Sequence, residues 1–309
     1  MYTDVFKNAY LFIYRNARPV DLARWRFHFE NEDREEALLS LSRYQNTDGG
    51  FGHGLEPDCL NPESSPVQTW AATEIIHELR LRDNTHPTVQ SIMYYLDSGK
   101  DFADGRWPGA IESNNLYPCA DWWKYDAGQE SSYNPTAALA GFILKYGDKQ
   151  GNLYKKAKDI AGEAAEAYLS RKPEDGGVPD MHLVSCYIRL WECCNSAEER
   201  SVIDLDRLLV QLKKDVHSCI EAGRPWGSGY VCRPSHFFRS ETSRFYAGNE
   251  EAAQNECEFI LNTQLDDGSW NVPWSWSEYP EQWAVSQNWW KAHIIIQNIL
   301  YLNGFGYAI

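Results

Sequence analysis

Leu39-Ser-Leu-Ser-Arg-Tyr-Gln-Asn-Thr-Asp-Gly-Gly-Phe51 and Glu258-Phe-Ile-Leu-Asn-Thr-Gln-Leu-Asp-Asp-Gly-Ser-Trp270 carry one pattern at two distant places in a chain of 309 residues. In each, an apolar stripe runs up to a Gln (Gln45, Gln264). An Asp able to bond its own backbone follows, then a Gly able to take positive φ and an aromatic. That order predicts a helix ended sharply, with the ring folded back on the helix end. A stop repeated at long range points to a helical hairpin copied along the chain, each copy covering its neighbour's apolar face.

Working outward, the periodicity predicts paired helices: Val5 to Tyr14 with Leu22 to Phe29, and Glu35 to Gln45 with Pro66 to Leu81. The third pair is Thr88 to Leu96 with Pro135 to Tyr146, and the fourth Tyr154 to Leu169 with Met181 to Cys194. The fifth is Leu205 to Ile220 with a partner starting near Pro234, and the last Glu250 to Gln264 with Glu281 to Leu302. Weaker copies of the stop occur at Asp104-Gly-Arg-Trp107 and Glu174-Asp-Gly-Gly177. Second helices such as Thr136-Ala-Ala-Leu-Ala-Gly141 are small and apolar, which suits packing on both sides, whereas Lys155-Lys-Ala-Lys-Asp159 belongs to an amphipathic outer helix. The expected fold is all-α, a single α/α toroid over residues 1–309 with about six hairpins in inner and outer layers. In such a ring the outer-to-inner loops open at one end, so the loops holding His53 and Asp58, Trp107 to Tyr133, His182, His236 and Trp276 are expected to converge on a cavity mouth.

The formal charge of −15, with 44 acidic against 29 basic residues, and the lack of a basic run argue against a nucleic-acid partner. No apolar run approaches the ~18 residues of a membrane span, and no secretory leader is evident, so a soluble, cytoplasmic protein is expected. Eight cysteines without a Cys-x-x-Cys read as reduced, buried thiols. The 13 Trp stand out, because several fall in loops, where they suit a cavity lining better than a core.

Gln45-x-x-Asp48-Gly-Gly-Phe51 followed by Ser65-Pro-Val-Gln-Thr-Trp-Ala-Ala-Thr73, together with Gln264-x-x-Asp267-Gly-Ser-Trp270, resembles the repeats of protein prenyltransferase β-subunits and the QW motifs of squalene and hopene cyclases. The resemblance implies an α/α toroid. It implies less about chemistry, since that scaffold hosts several activities. The Asp-x-Asp-Asp acid of class II cyclases is missing. The prenyltransferase zinc set of Asp-x-Cys and a His before a Thr is also missing: Asp58 and Cys59 are adjacent, and Gln68 precedes Thr69. No metal ligands and no cofactor are therefore assigned, while zinc or magnesium held by acids alone stays open.

The catalytic candidates are His53, Glu56 and Asp58 in the first long loop, Asp126 in Asp121-Trp-Trp-Lys-Tyr-Asp126, and His182 beside the helix cap Asp180. Helix capping accounts for the first-loop carboxylates equally well and for Asp180 better, whereas a lid folded on its own aromatics is the alternative for Asp121 to Asp126. The substrate-binding candidates are Trp107, Trp122, Trp123, Trp226, Trp274, Trp276 and Trp283, with Arg233 and His236 placed for an anion. Rings and acids together suit a small-molecule substrate: an isoprenoid, whose carbocation the π faces would steady, or a carbohydrate cut by paired carboxylates. The expected function is an enzyme resembling terpenoid cyclases and prenyltransferases. A carbohydrate-active α/α-barrel enzyme, hydrolase or lyase, and a non-catalytic ligand-binding toroid are the alternatives.

Overall fold

The computed structural model describes residues 4–128, 132–171, 177–194, 196–227 and 229–307. Among them regular structure is helical: α1 (Asp4–Asn16), α2 (Pro19–Phe29), α3 (Arg34–Leu41), α4 (Pro66–Glu78), α5 (Pro87–Ser98), α6 (Thr136–Tyr146), α7 (Asn152–Ser170), α8 (Met181–Cys193), α9 (Ala197–Arg200), α10 (Leu205–Ala222), α11 (Glu250–Asn262) and α12 (Pro280–Gly304). Strand pairing among the described residues is limited to isolated bridges. None of these helices is long and apolar enough to cross a membrane. The chain divides into two compact units, one of residues 1–43 with 216–309 and one of residues 44–215.

In the first unit α12 packs on α1, α2 and α11. Its Ala292, Ile295, Ile296, Ile299 and Leu302 are buried against Phe6, Phe12 and Ile13 of α1, Trp25 of α2 and Ile260 of α11. In the second unit α6 lies against α4, α7 and α8. Nearly every α6 residue is buried, which is the all-round apolar surface that a helix covered on several sides requires. Helix starts follow the chemistry expected of them. Ser65 caps α4 ahead of Pro66, and Asp180 caps α8 through Leu183 N at 2.8 Å.

The repeated stop is built the same way in both units, though each helix ends before its Gln: α3 stops at Leu41 and α11 at Asn262. Gln45 Nε2 donates to Gly49 O at 2.9 Å and to Thr88 O of α5 at 3.3 Å. Gln264 Nε2 donates to Gly268 O at 3.0 Å and to Val5 O of α1 at 2.9 Å. The Gln is thus a clasp from one hairpin's turn to the first turn of another helix. Gly49 (φ +89°) and Gly268 (φ +88°) sit so close to those helices that a Cβ would stand 2.0 Å from Ser91 O and 2.2 Å from Asn8 O. Each Asp receives an amide and a hydroxyl on one oxygen: Gly50 N and Ser64 Oγ on Asp48, Ser269 N and Ser269 Oγ on Asp267. Its other oxygen pairs with a lysine, Lys100 at 3.1 Å and Lys291 at 2.7 Å. Burial pushes both carboxyls up, but these hydrogen bonds and lysines outweigh it, so both pKa values are lowered.

Two expectations need correcting. The fifth pair lacks its second helix: between α10 and α11 the described chain makes only a 3-10 turn at Pro234–His236, with Pro225, Pro234 and nearby glycines breaking any longer run. The copy at Asp104-Gly105 is a tight turn with positive φ at both residues, not a helix stop. Residues 174–176 of the remaining copy lie outside the described residues.

Candidate functional site

In the second unit the first long loop is knotted around Gln68, which is fully buried on α4. Its Oε1 accepts from Glu56 N at 2.8 Å and its Nε2 donates to Cys59 O at 2.5 Å. Gln68 therefore clamps the loop to the start of α4. Glu56 and Asp58 are buried, and Glu56 Oε2 accepts from Asp58 N at 2.9 Å. His53 is exposed, takes φ +60°, and its Nε2 meets Asn46 Oδ1 at 2.9 Å. Asn61 joins this loop to the next by donating to Ser113 Oγ at 2.9 Å and Asn114 Oδ1 at 3.0 Å, and Asn114 Nδ2 donates to Trp123 O at 2.9 Å.

Trp107 is 1% exposed and packs edge-on against Phe102. Its amide receives Thr136 Oγ1 as acceptor at 3.0 Å, and its carbonyl accepts from the same hydroxyl at 2.9 Å. Phe51 N likewise donates to Thr69 Oγ1 at 3.1 Å. A Thr in the first turn of α4 or α6 thus pins the aromatic that follows a Gly turn, giving Trp107 a packing role. Trp122 is 48% exposed, whereas the Trp123 ring lies against Gly109 with its buried Nε1 lacking a hydrogen-bond partner. Asp126 is exposed and caps its own turn by accepting from Gly128 N at 2.8 Å. His182, at the start of α8, has its pKa lowered by burial against the opposing pull of Asp180. Two open concavities of about 460 Å³ each lie elsewhere in this unit, one along Arg200–Asp206 and one between α5 and the Gly147–Tyr154 segment, and neither holds a candidate residue. Among the described residues no three His, Cys, Asp or Glu side chains gather as metal ligands.

The first unit holds a continuous row of rings. Tyr230 meets Trp274 at 5.0 Å, Trp274 meets Trp290 at 5.2 Å and Trp290 meets His293 at 5.4 Å, each pair near perpendicular. Tyr230 is exposed, and Trp274, Trp290 and His293 are half-buried, so the row keeps an accessible side. Beyond it, Trp276 is buried and tilts against the half-buried Trp283 at 5.9 Å.

One end of the row runs into a buried ionic knot. Arg24 Nη1 approaches His293 Nδ1 at 3.4 Å and donates to Asp21 Oδ1 at 2.8 Å, while Arg18 Nε donates to Asp21 Oδ2 at 2.7 Å. Asp21 and Arg24 are 0% and 1% exposed. Burial pushes the Asp21 carboxyl up, but Arg18 and Arg24 overcome it and its pKa is lowered. The Arg18 guanidinium also lies 5.1 Å from the Trp289 ring centroid.

At the other end Tyr230 meets His236 at 6.2 Å, and His236 Nδ1 accepts from Arg233 N at 3.1 Å. The Arg233 guanidinium lies 4.1 Å over the Phe259 ring, which also meets Trp226 at 6.2 Å. Arg233 Nε and Trp226 Nε1 are both buried without a hydrogen-bond partner. Two such donors beside one ring are uncommon, because each costs about 1 to 3 kcal/mol unless something accepts from it. Below Arg233, Glu256 is fully buried and accepts from Ser235 N at 2.8 Å and Ser235 Oγ at 2.5 Å. Burial pushes its carboxyl up to about 7, against the pull of Ser235 and Arg233.

Sequence reading reached Trp226, Trp274, Arg233 and His236, and Trp290 within the ring-bearing Asn288-Trp-Trp-Lys291; it gave the helical His293 no role and missed Asp21, Arg24, Glu256 and Tyr230. Arg18-x-x-Asp21-x-x-Arg24 was the available signal, since i,i+3 spacing sets alternating charges on one face of a short helix. No protein-family model, curated protein or solved structure matches the chain.

Proposed function

We propose that the chain is an α/α-toroid enzyme, resembling terpenoid cyclases and prenyltransferases, that holds an isoprenoid or similarly extended apolar substrate along the Tyr230–Trp274–Trp290 row. The observation that carries this reading is the row itself, accessible rings ending beside the two unpartnered donors of Arg233 and Trp226. Rings in edge-to-face order offer apolar area and negative π faces, the surface that an alkyl chain or a developing carbocation prefers. The two donors suit an oxygen-rich head.

Each Gln clasp, within its own unit, ties neighbouring hairpins together, as the repeats of such a scaffold require. Gln45 ties the second hairpin to the first helix of the third, and Gln264 ties the last hairpin to α1 in the same manner. The carbohydrate alternative draws less support from this face. A glycosidase needs two carboxyl groups free to act, whereas Asp21 is held ionised between two arginines and both Glu256 oxygens are occupied by Ser235.

The test is binding of farnesol, farnesyl diphosphate and geranylgeranyl diphosphate, set against a panel of oligosaccharides and read as thermal stabilisation. Stabilisation by the prenyl compounds is expected. Trp274→Ala or Trp290→Ala should weaken them about tenfold or more, in line with ~1.5 to 3 kcal/mol for a large buried side chain. Arg233→Gln should weaken the diphosphates and spare farnesol. An oligosaccharide that stabilises the protein while no prenyl compound does refutes the reading.

A further inference from the structure

Of the isolated bridges in the second unit, one joins two cysteines: Cys59 and Cys119, paired antiparallel. Its flanking hydrogen bonds run from Leu60 N to Pro118 O at 3.0 Å and from Ala120 N to Asp58 O at 2.8 Å, so they bracket the cysteines without joining them. A non-hydrogen-bonded antiparallel pair sets its Cα atoms about 4.5 Å apart with both side chains on one side of the ladder. That separation falls inside the roughly 4.4 to 6.8 Å a disulfide spans. Both residues are buried, at 0% and 2% exposure, and Cys119 Sγ donates to Asn114 O at 3.6 Å, the contact of a reduced thiol. The two thiols feel each other, since Cys119 adds to the burial that pushes Cys59 up to about 12.

We propose that Cys59 and Cys119 form a covalent modification site, a dithiol that closes to an intramolecular disulfide by exchange with a low-molecular-weight disulfide such as oxidised glutathione. One cysteine, as thiolate, attacks a glutathione sulfur and releases one glutathione thiolate, giving a mixed disulfide. The facing cysteine then attacks the protein sulfur of that mixed disulfide and displaces the second glutathione. Two protein thiols are oxidised, one glutathione disulfide is reduced to two thiols, and the two protons go with them. A scarce thiolate and a covered sulfur make the first step slow, so it proceeds through local opening of the bridge. Closure staples the Glu56–Asn61 segment to the Tyr117–Trp123 segment, adding a covalent link to the two backbone hydrogen bonds, Leu60 N to Pro118 O and Ala120 N to Asp58 O, that already join them. The proposal stands apart from the isoprenoid reading, because it concerns loop geometry alone.

The test uses the full chain, held at pH 8 in a glutathione buffer rich in the oxidised form, with enough urea to open loops but not the fold, until composition stops changing. Acid quenching, alkylation and peptide mass mapping then read the cysteines. A Cys59–Cys119 cross-linked peptide is expected, reversed by dithiothreitol and lost in Cys119→Ser and Cys59→Ser, with Cys119→Ala and Cys59→Ala standing in where a serine variant does not fold. Backbone amides of residues 53–61 and 113–123 should exchange about tenfold more slowly in the oxidised protein than in the reduced one. Both cysteines remaining reduced at equilibrium, or carrying separate glutathione adducts, overturns the proposal. So does a disulfide that leaves amide exchange unchanged.

Discussion

Gly268→Ala is the sharpest probe of the repeated stop. Two separate costs arise. A φ of +88° charges an alanine about 1 to 2 kcal/mol relative to glycine. The new Cβ would stand 2.2 Å from Asn8 O and 2.6 Å from Asn8 C, more than an ångström inside ordinary contact. Nothing there is a flexible side-chain end, so either α1 or the turn must move. α1 is anchored by Phe6, Phe12 and Ile13 in the core, and displacing the turn strains both Gln264 hydrogen bonds. At about 1 kcal/mol per lost hydrogen bond plus loosened packing, the total comes to roughly 3 to 5 kcal/mol. Gly306 gives the control, since its φ is +76° and a Cβ there meets nothing within 4 Å, so Gly306→Ala should cost only the conformational part, about 1 to 2 kcal/mol. By thermal unfolding the first variant should melt roughly 5 to 8 °C below wild type and the second roughly 2 to 3 °C. Equal losses for the two would show that the backbone approach at Asn8 yields freely, and the clasp argument would fail.

Other outcomes follow from the buried charges and hydroxyls. Asp21→Asn leaves two buried guanidiniums without their shared counter-ion and should cost about 3 to 5 kcal/mol in urea unfolding. Because the folded Asp21 pKa is lowered, its stabilisation is present above the unfolded value near 3.9 and lost as pH falls through the folded one, so Asp21→Asn should flatten the acid limb below about pH 4. Glu256 has the opposite sign. Its folded pKa of about 7 lies above the unfolded value, so stability linked to it is full at low pH and declines as pH rises to about 7. Glu256→Gln should remove that decline between pH 5 and 8, and an unchanged slope would show that the carboxyl is not proton-linked to folding. Thr136→Val keeps the shape but strips both Trp107 backbone hydrogen bonds, for a loss of about 1 to 3 kcal/mol and increased exchange of the Trp107 amide.

The residues that announced themselves in the sequence were those whose job is local. Asp48-Gly49 and Asp267-Gly268 build their tight turns by local bonds, a few residues beyond the helix ends, and Ser65 and Asp180 cap by their own side chains, so spacing alone revealed them. The reach of Gln45 and Gln264 to another helix was hidden, because their partners Thr88 O and Val5 O are backbone atoms with no compositional mark. Trp107 shows the same limit. A tryptophan after Gly105-Arg106 looks like loop lining until Thr136 is seen to draw its backbone into the core. The aromatic row was partly legible: Trp274 lies in a loop and Trp290 in the ring-bearing Asn288-Trp-Trp-Lys291, whereas His293 sits on α12 among residues that read as packing or surface. The missing partner of α10 followed from a prediction that weighed repetition above the Pro and Gly actually present from residue 223 to 234.

The hold of Gln264 and Gly268 on α1 sets a timetable for biosynthesis. α1 leaves the ribosome well before the backbone it docks against, since Gln264 is translated 259 residues after Val5. Until then Phe12 and Ile13 lack the cover of α11 and α12, although Phe6 can already meet Trp25 and Phe29 of α2. Nascent chains stalled before residue 264 would therefore carry α1 without that cover, the stage at which a holdase chaperone or premature aggregation has its best opportunity.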